Sequence, residues 1–343
     1  MKSLKIHGPL DLRIDDYPVD SLGPNQVEIK IAIGGICGTD LHYYKHGGFG
    51  QIKLREPMIL GHEVSGFISK IGSNVKNLSI GQLVSISPSR PCNKCDFCLN
   101  GNQIQCINMK FYGSAMPFPH IQGAFREILI VEDYQCVPAD GLSPEEAAMA
   151  EPLAVCLHAV KQAGEIFGQK ILITGSGPIG TLCVAAARRA GAEEIIVTDI
   201  SKNALMFSNS VGADKVIHVL EEHDELKRYK FNKGYFDIAI ECSGSEKGIS
   251  DSINCLKPKG TLIQLGLGGD VLIPLVSVTT KELNLRGSFR FHLEFELAVN
   301  MMKKKLINVN PLITHKLDFK SAKEAFELAM NNEEKSMKVQ LSF

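Results

Sequence analysis

The sequence has no excess of either charge, no long apolar run and no low-complexity segment. The chain has 343 residues, with 37 Lys and Arg against 38 Asp and Glu, and a formal net charge of -1. This balance gives no electrostatic reason to bind nucleic acid or an anionic membrane. The stretch that most resembles a membrane span, residues 171–187, contains glycine and proline and falls short of the roughly 20 apolar residues that a span needs. We therefore expect neither nucleic acid nor a membrane as a partner.

The sequence also lacks a recognisable export signal and has too little cysteine for a disulfide scaffold. Lys2 and Lys5 interrupt the first residues too early for the apolar core of a signal peptide. Scattered free thiols are typical of a reducing compartment, so we expect a cytoplasmic protein. Four of the ten cysteines nevertheless lie between Cys92 and Cys106, which points to a metal.

Length and periodicity predict a two-domain α/β protein. Apolar residues alternate over residues 27–33, as in a half-buried strand, and the first part of the chain is β-rich. From about residue 169, six short apolar runs alternate with helical stretches, which predicts a doubly wound parallel sheet. Near the C-terminus, Ser321 and Glu324 match a capping box, and residues 338–342 are a candidate closing strand.

A glycine-rich turn follows the apolar run at residues 171–174. The turn reads Gly175, Ser176, Gly177, Pro178, Ile179, Gly180, and a helix follows it. In this context Gly175 permits the tight turn, Gly177 admits a pyrophosphate, and Gly180 allows close packing. Asp199 ends the next strand, where its carboxylate would bind the ribose hydroxyls and repel a 2′-phosphate. We expect NAD(H), although Lys202 leaves NADP(H) open; the structural alternative is a plain glycine turn with a helix-capping Asp.

The clustered cysteines have the spacing of a metal site. Their sequence is Cys92-x2-Cys95-x2-Cys98-x7-Cys106. Four thiolates satisfy a closed, tetrahedral structural zinc site. An iron–sulfur cluster is the competing interpretation, but the last gap is too long for the common ferredoxin pattern and no proline follows it. Zinc is therefore the preferred metal.

Three other short segments carry side chains that can ligate metal. Cys37 lies in Gly-Ile-Cys-Gly-Thr-Asp, His62 and Glu63 lie in Gly-His-Glu, and Glu151 begins Glu-Pro-Leu. Taken singly, Cys37 could be a small buried residue, His62 a hydrogen-bonded core histidine and Glu151 a helix-start charge. Each residue by itself therefore favours a structural role.

Together, these segments and the two motifs above resemble the zinc-containing medium-chain dehydrogenases/reductases, sorbitol dehydrogenase branch. The resemblance covers essentially the whole chain, and the motifs follow the family order. It implies a GroES-like, β-rich catalytic domain formed by residues 1–150 and 291–343, with a Rossmann domain at 151–290. It also implies a catalytic and a structural zinc, a nicotinamide cofactor, and a homodimer or homotetramer.

The resemblance further implies roles for individual residues. The residues that match the catalytic zinc positions are Cys37, His62, Glu63 and Glu151. Asp40 matches a carboxylate that orients the zinc-binding histidine, and Thr39 and His42 match a proton relay. Whether Glu63 or Glu151 binds the zinc directly stays open. Zinc would polarise the substrate hydroxyl as a Lewis acid, and the nicotinamide would take the hydride.

Three segments, residues 111–116, 118–120 and 285–291, resemble the L-idonate 5-dehydrogenases, which implies a sugar-acid substrate. A substrate carboxylate needs a cationic partner, for which Arg290 is the first candidate and Arg126 and Arg90 are alternatives. Tyr43 and His120 are further candidates for the substrate pocket. Three alternative hypotheses are a polyol dehydrogenase, an L-threonine 3-dehydrogenase and a non-catalytic relative. A non-catalytic relative would be expected to have lost a zinc ligand or a relay residue, whereas this sequence has all of them.

Overall fold

The computed structural model describes residues 1–331 and 336–343 and divides the chain into two units. The first unit comprises Met1–Glu151, Phe295–Lys304 and Ile313–Phe343, and the second comprises Pro152–Glu294 and Lys305–Leu312. Both described chain ends therefore belong to one unit. Compared with the boundaries expected from the sequence, Glu151 lies in the first unit rather than the second, and residues 291–294 and 305–312 lie in the second rather than the first.

The first unit is built mainly from short strands. In chain order its elements up to residue 148 are β1 (Lys2–Gly8), β2 (Asp11–Asp16), β3 (Gln26–Gly35), α1 (Gly38–His46), β4 (Gly48–Phe49), β5 (Ile52–Lys53), β6 (Met58–Ile59), β7 (Glu63–Ile71), β8 (Leu83–Ile86), β9 (Ser89–Arg90), α2 (Asp96–Leu99), β10 (Lys110–Phe111), β11 (Ile128–Glu132), β12 (Cys136–Pro138) and α3 (Pro144–Ala148). Then α4 (Ala150–Ala163) leads into the second unit.

The second unit alternates strands and helices, as the sequence predicts. Its elements are β13 (Lys170–Thr174), α5 (Pro178–Arg189), β14 (Glu194–Asp199), α6 (Lys202–Ser210), β15 (Lys215–His218), α7 (His223–Lys227), β16 (Phe236–Glu241), α8 (Glu246–Cys255), β17 (Leu256–Gln264), α9 (Leu275–Thr280) and β18 (Asn284–Gly287). The chain continues with α10 (Glu294–Lys303), β19 (Ile313–Asp318), α11 (Ala322–Met330) and β20 (Lys338–Ser342).

The central sheet of the first unit joins both ends of the chain. Its strand order is β12-β8-β7-β3-β20-β19, and β11 also pairs with β3. The long strand β3 alternates apolar residues, and Val27, Ile29 and Ile31 are buried in the core. Because β7 and β20 flank β3, residues of β7 and residues near the C-terminus of the chain meet beside the C-terminal end of this strand.

The six-stranded sheet of the second unit is parallel throughout and has the order β15-β14-β13-β16-β17-β18. Leu172, Ile196 and Ala239 are fully buried in its core, in keeping with a parallel sheet covered on both faces. The order reverses direction at β13, and ligands of such sheets bind at the carboxyl ends of the strands beside this switch point. The doubly wound sheet and the mixed α/β fold class are confirmed.

The C-terminal predictions are confirmed in one case and wrong in the other. Residues 338–342 form strand β20. Helix α11 begins after Ser321, but the Ser321 side chain accepts no capping hydrogen bond. Ser321 already ends a 3₁₀ turn, which the Asp318 carboxylate caps by accepting from the Lys320 N–H, so its backbone is not extended as a capping serine requires. Of the helices described, none is long and apolar enough to cross a membrane.

Candidate active site

The side chains of Cys37, His62 and Glu63 come together in the first unit. One ligand atom from each lies within 4.8 Å of the others. Cys37 precedes α1 just after β3, and Glu63 begins β7. The pairing of Gly35 with Glu63 brings these two strand ends together. A side chain at residue 35 would lie 2.3 Å from Glu63 Oε2, so only glycine leaves room for the carboxylate.

Lys338 holds the Glu63 carboxylate from the last strand of the chain. Its Nζ donates to Oε1 and Oε2 of Glu63, at 2.9 and 2.7 Å, and to the carbonyl oxygen of Ile36 at 3.3 Å. The two side chains are only 2% and 1% exposed. Burial alone would lower the pKa of Lys338, but the negative charge of Glu63 raises it, so the ammonium stays charged.

Asp40 fixes the backbone around this group. Its carboxylate accepts from the N–H groups of Cys37 and Gly61, both at 3.1 Å. His62 Nδ1 lies 3.9 Å from Asp40 Oδ1, beyond hydrogen-bond distance, and this buried nitrogen has no hydrogen-bond partner among the described residues. In this structure Asp40 therefore positions the backbone at Cys37 and at Gly61, the residue before the histidine, rather than the imidazole ring itself.

Glu151 is buried near Cys37, His62 and Glu63, but it is not one of the residues whose ligand atoms lie within 4.8 Å of one another. Burial raises the pKa of Glu151 to about 7, and the nearby charge of Glu63 also raises it, whereas His62 and Lys338 lower it. Burial likewise raises the pKa of the Cys37 thiol. A thiol, an imidazole and carboxylates are the donors that zinc takes in catalytic sites. The orphaned His62 nitrogen and this donor set fit a zinc ion.

The two relay candidates lie on α1. Thr39 and His42 are three residues apart and so share one face of the helix. The His42 ring lies 6.1 Å from the ring of Phe49. Burial lowers the pKa of His42, and the positive charges of His46 and Lys45 lower it further, so the imidazole is neutral and able to accept a proton at pH 7.

The four clustered cysteines also come together. One sulfur atom from each of Cys92, Cys95, Cys98 and Cys106 lies within 4.8 Å of the others. No two of the chain's ten cysteines form a disulfide. The backbone N–H of Lys94 is the main cause that lowers the pKa of the Cys92 thiol, to about 6. A short, irregular loop that holds four sulfurs and stabilises a thiolate fits a closed zinc site.

The glycine-rich turn lies between β13 and α5 of the second unit. Gly175 has φ +91°, a conformation that favours glycine. A side chain at residue 180 would lie 1.8 Å from the Gly175 carbonyl oxygen. At residue 177, by contrast, a Cβ atom would have no neighbouring atom within 4 Å, and no side chain caps the N-terminus of α5. The space beside the free N–H groups of α5 fits a dinucleotide phosphate.

The Asp199 carboxylate already contacts this turn. It accepts from the N–H of Ser176 at 2.6 Å and from that of Ser201 at 2.7 Å. Lys202 Nζ lies 2.6 Å from Glu221 in an exposed ion pair. The carboxylate is thus beside the phosphate loop, whereas the lysine has an acidic partner of its own.

The candidate substrate residues already make hydrogen bonds or stacking contacts with other residues of the protein. The Tyr43 hydroxyl accepts from the Ala115 N–H at 3.0 Å. His120 accepts from the Arg55 N–H through Nε2 and donates to the Pro117 carbonyl through Nδ1. Arg290 belongs to the second unit, where its guanidinium stacks 4.7 Å from the Phe289 ring. Tyr43 therefore ties helix α1 to residue 115, and His120 ties residue 55 to residue 117.

Sequence reasoning missed Lys338, and it named Arg90 and Arg126 without the tyrosines that stack on them. The local signal for Lys338 is a charge at the start of an otherwise uncharged strand, residues 338–342. That pattern gives no hint of a partner 275 residues away. Arg126 is buried against Tyr17, and Arg90 lies over Tyr112.

Known proteins resemble this chain over its whole length. The "Alcohol dehydrogenase GroES-like domain" family model matches residues 23–141, and the "Zinc-binding dehydrogenase" model matches residues 178–304. L-idonate 5-dehydrogenase (NAD(P)(+)) of Escherichia coli is 41% identical over 344 residues, covering 100% of this chain and 98% of that protein. The crystal structure of L-idonate 5-dehydrogenase from the same organism has a TM-score of 0.95 at 38% identity, over 100% and 98% of the two chains. Sorbitol dehydrogenase of Bos taurus is 37% identical over 95% of this chain and 92% of that protein.

The buried ion pair predicts a large loss of stability in Lys338→Met. This change leaves the Glu63 carboxylate buried and without its partner, so we expect the free energy of unfolding in urea to fall by about 3–5 kcal/mol. The matched control is Lys316→Met in the neighbouring strand β19, since Lys316 Nζ lies 2.6 Å from Glu145 but is half exposed. We expect a loss below about 1 kcal/mol there. Lys338→Met/Glu63→Gln should recover part of the stability, and equal small losses in both single variants would refute the argument.

Proposed function

Because the chain belongs to the zinc-binding dehydrogenase family with an alcohol dehydrogenase GroES-like domain, we propose that it transfers hydride between a nicotinamide cofactor and a secondary alcohol of a sugar acid. Family membership makes the chain an oxidoreductase that uses zinc and a nicotinamide. The proposed reaction is the oxidation of L-idonate to 5-ketogluconate, or its reverse. The observation that carries this choice is the full-length similarity to the Escherichia coli enzyme.

The proposed roles in the first unit follow from the chemistry of its residues. Cys37 and His62 bind the catalytic zinc, and Glu63 or Glu151 supplies the third protein ligand. When bound, zinc supplies a Lewis acid that lowers the pKa of the substrate hydroxyl, and the nicotinamide accepts hydride. Thr39 Oγ1 accepts the substrate hydroxyl proton and passes it towards the neutral imidazole of His42.

A substrate screen tests the proposed reaction. Initial rates of nicotinamide reduction are measured with L-idonate, sorbitol, xylitol and L-threonine, each with NAD and with NADP. We expect L-idonate to give the highest kcat/KM. A higher value with sorbitol or xylitol would instead support a polyol dehydrogenase, which the 37% identical sorbitol dehydrogenase makes the second candidate.

Single cysteine variants test the proposed zinc sites. Cys37→Ser should reduce zinc content from about two to about one per chain and lower kcat/KM by about a thousandfold or more, since the Lewis acid contributes several kcal/mol. Cys98→Ser should also lose one zinc ion, because it breaks the four-sulfur cluster. The control is Cys255→Ser, a buried thiol of the second unit, which should keep both ions. Full zinc content in Cys37→Ser would contradict the assignment.

We propose NAD as the preferred cofactor because the Asp199 carboxylate lies beside the phosphate loop. Asp199→Asn keeps an acceptor for the Ser176 N–H but removes the charge that repels a 2′-phosphate. We expect the preference for NAD over NADP, as a ratio of kcat/KM values, to fall by about tenfold. Asp214→Asn is the control, since Asp214 accepts from the Ile195 N–H at the other end of β14. An unchanged ratio in Asp199→Asn would refute the ribose role.

We also propose that the chain forms a homodimer through the outer strand of the second unit. β18 is the last strand of the sheet order, and all four of its residues are exposed. Several large apolar side chains nearby are also exposed: Leu267, Leu272, Ile273, Leu275, Val276 and Leu285. An unprotected edge strand beside an apolar patch favours pairing, and two copies of one strand can pair about a twofold axis.

Analytical ultracentrifugation tests this assembly. Val276→Asp places a charge on the apolar patch and should raise the dimer dissociation constant by at least about tenfold. Leu220→Asp, at an exposed position of the same unit outside the patch, should leave it unchanged. A monomeric wild-type chain would contradict the proposal. The cytoplasmic location stays a prediction.

A further inference from the structure

Two arginines of the first unit stack on tyrosines instead of pairing with acids. Arg126 is only 4% exposed, its Nε donates to the Gly123 carbonyl at 2.9 Å, and its guanidinium lies 5.1 Å from the centre of the Tyr17 ring. The Arg90 guanidinium lies 5.0 Å from the centre of the Tyr112 ring. Stacking of this kind stabilises a guanidinium but leaves its N–H groups available.

Two hydrogen-bond donors in this arginine–tyrosine cluster lack a partner among the described residues. Arg90 Nε and the Tyr112 hydroxyl are buried and have no hydrogen-bond partner within residues 1–331 and 336–343. Gln135 lies near the Tyr112 hydroxyl, but its amide accepts from the Glu132 N–H and donates to the Ser87 carbonyl instead. Over the same ranges, neither Arg90 nor Arg126 has a carboxylate oxygen within 4.0 Å. Buried donors without acceptors and buried charges without counter-charges are costly, so native structures seldom retain them without a function.

The two guanidinium groups are close enough to affect each other. Burial lowers the pKa of Arg126, and the positive charge of Arg90 lowers it further. Tyr17, Tyr112 and the carboxylate of Asp20 act in the opposite direction and raise the pKa of Arg126. The cluster thus combines two like charges and a phenol donor, which repel a cation and suit an anion.

The arginine–tyrosine cluster is linked to the candidate zinc group through the sequence neighbour of Tyr112, but the two groups share no side chain. Tyr112 follows Phe111, whose ring lies 5.8 Å from that of His62. Arg90 and Phe111 belong to the paired strands β9 and β10. None of the cluster residues supplies an atom to the group formed by Cys37, His62 and Glu63.

We propose that Arg90, Arg126 and Tyr112 bind the oxyanion group of a small molecule, a carboxylate or a phosphate. Guanidinium groups are planar forks that donate two parallel hydrogen bonds to such a group. The Tyr112 hydroxyl adds a third donor, and the oxyanion supplies the negative charge that no described carboxylate within 4.0 Å of either guanidinium provides. Arg90 and Arg126 are also the alternative candidates for a substrate carboxylate, but the inference does not depend on the proposed dehydrogenase reaction and holds whatever alcohol is oxidised.

Calorimetric titration with simple anions tests the site without turnover. The zinc-loaded protein is saturated with NADH, which fills the phosphate loop and cannot oxidise a probe. Sodium phosphate and sodium gluconate are then titrated separately against sodium chloride at constant ionic strength. We expect one saturable site per chain, with a Kd that rises at least about tenfold in Arg126→Gln and in Arg90→Gln. Tyr112→Phe should raise it about fivefold, since it removes one hydrogen bond.

The matched control is Arg13→Gln, an exposed arginine of the same unit that pairs with Asp11. It should leave the Kd unchanged. Binding of phosphate alone, gluconate alone or both supports the site and identifies the oxyanion. If Arg126→Gln does not fold, Arg90→Gln and Tyr112→Phe decide the question. The proposal is overturned if neither anion binds saturably, or if binding in Arg90→Gln and Tyr112→Phe equals that of the wild type.

Discussion

The buried ion pair between Lys338 and Glu63 makes the candidate zinc centre possible. Several ionisable side chains share an interior from which water is excluded, and each buried charge must be balanced or neutralised. Lys338 uses all its donors on Glu63 and the Ile36 carbonyl. Asp40 is satisfied by two backbone N–H groups. The groups left without comparable partners, above all His62 Nδ1, are those that a metal ion and its surroundings can satisfy.

The Glu63 carboxylate also explains why one of the two glycines that end β3 is needed, and the Phe125 ring explains the other. The carboxylate of Glu63 occupies the space in which a side chain at residue 35 would lie. A side chain at residue 34 would similarly collide with the Phe125 ring, at 2.6 Å. The glycines therefore permit a close approach of side chains from neighbouring elements, rather than a turn. A carboxylate can thus stand beside a cysteine without displacing the strand that carries it.

Features encoded by neighbouring residues could be predicted from the sequence. The parallel sheet, the glycine turn and the four-cysteine loop each depend on periodicity or spacing within a short stretch, and the structure contains all of them. The capping box failed because Ser321 belongs to the preceding turn, which a two-residue signature does not reveal. The ion pair of Lys338 and the stacking of Arg90 on Tyr112 each join residues that are far apart in the sequence. No pattern within a short stretch of sequence indicates such contacts.

The same distinction separates the two candidate metal sites. The four-sulfur cluster gathers its donors from one loop, so its geometry requires little of the rest of the fold. The group around Cys37 needs the end of β3, the start of β7 and, through Lys338, the last strand of the chain. A site assembled in this way exists only once the central sheet is complete. The sequence separation that hides Lys338 from local analysis therefore also ties the proposed zinc ligands to the folding of the whole first unit.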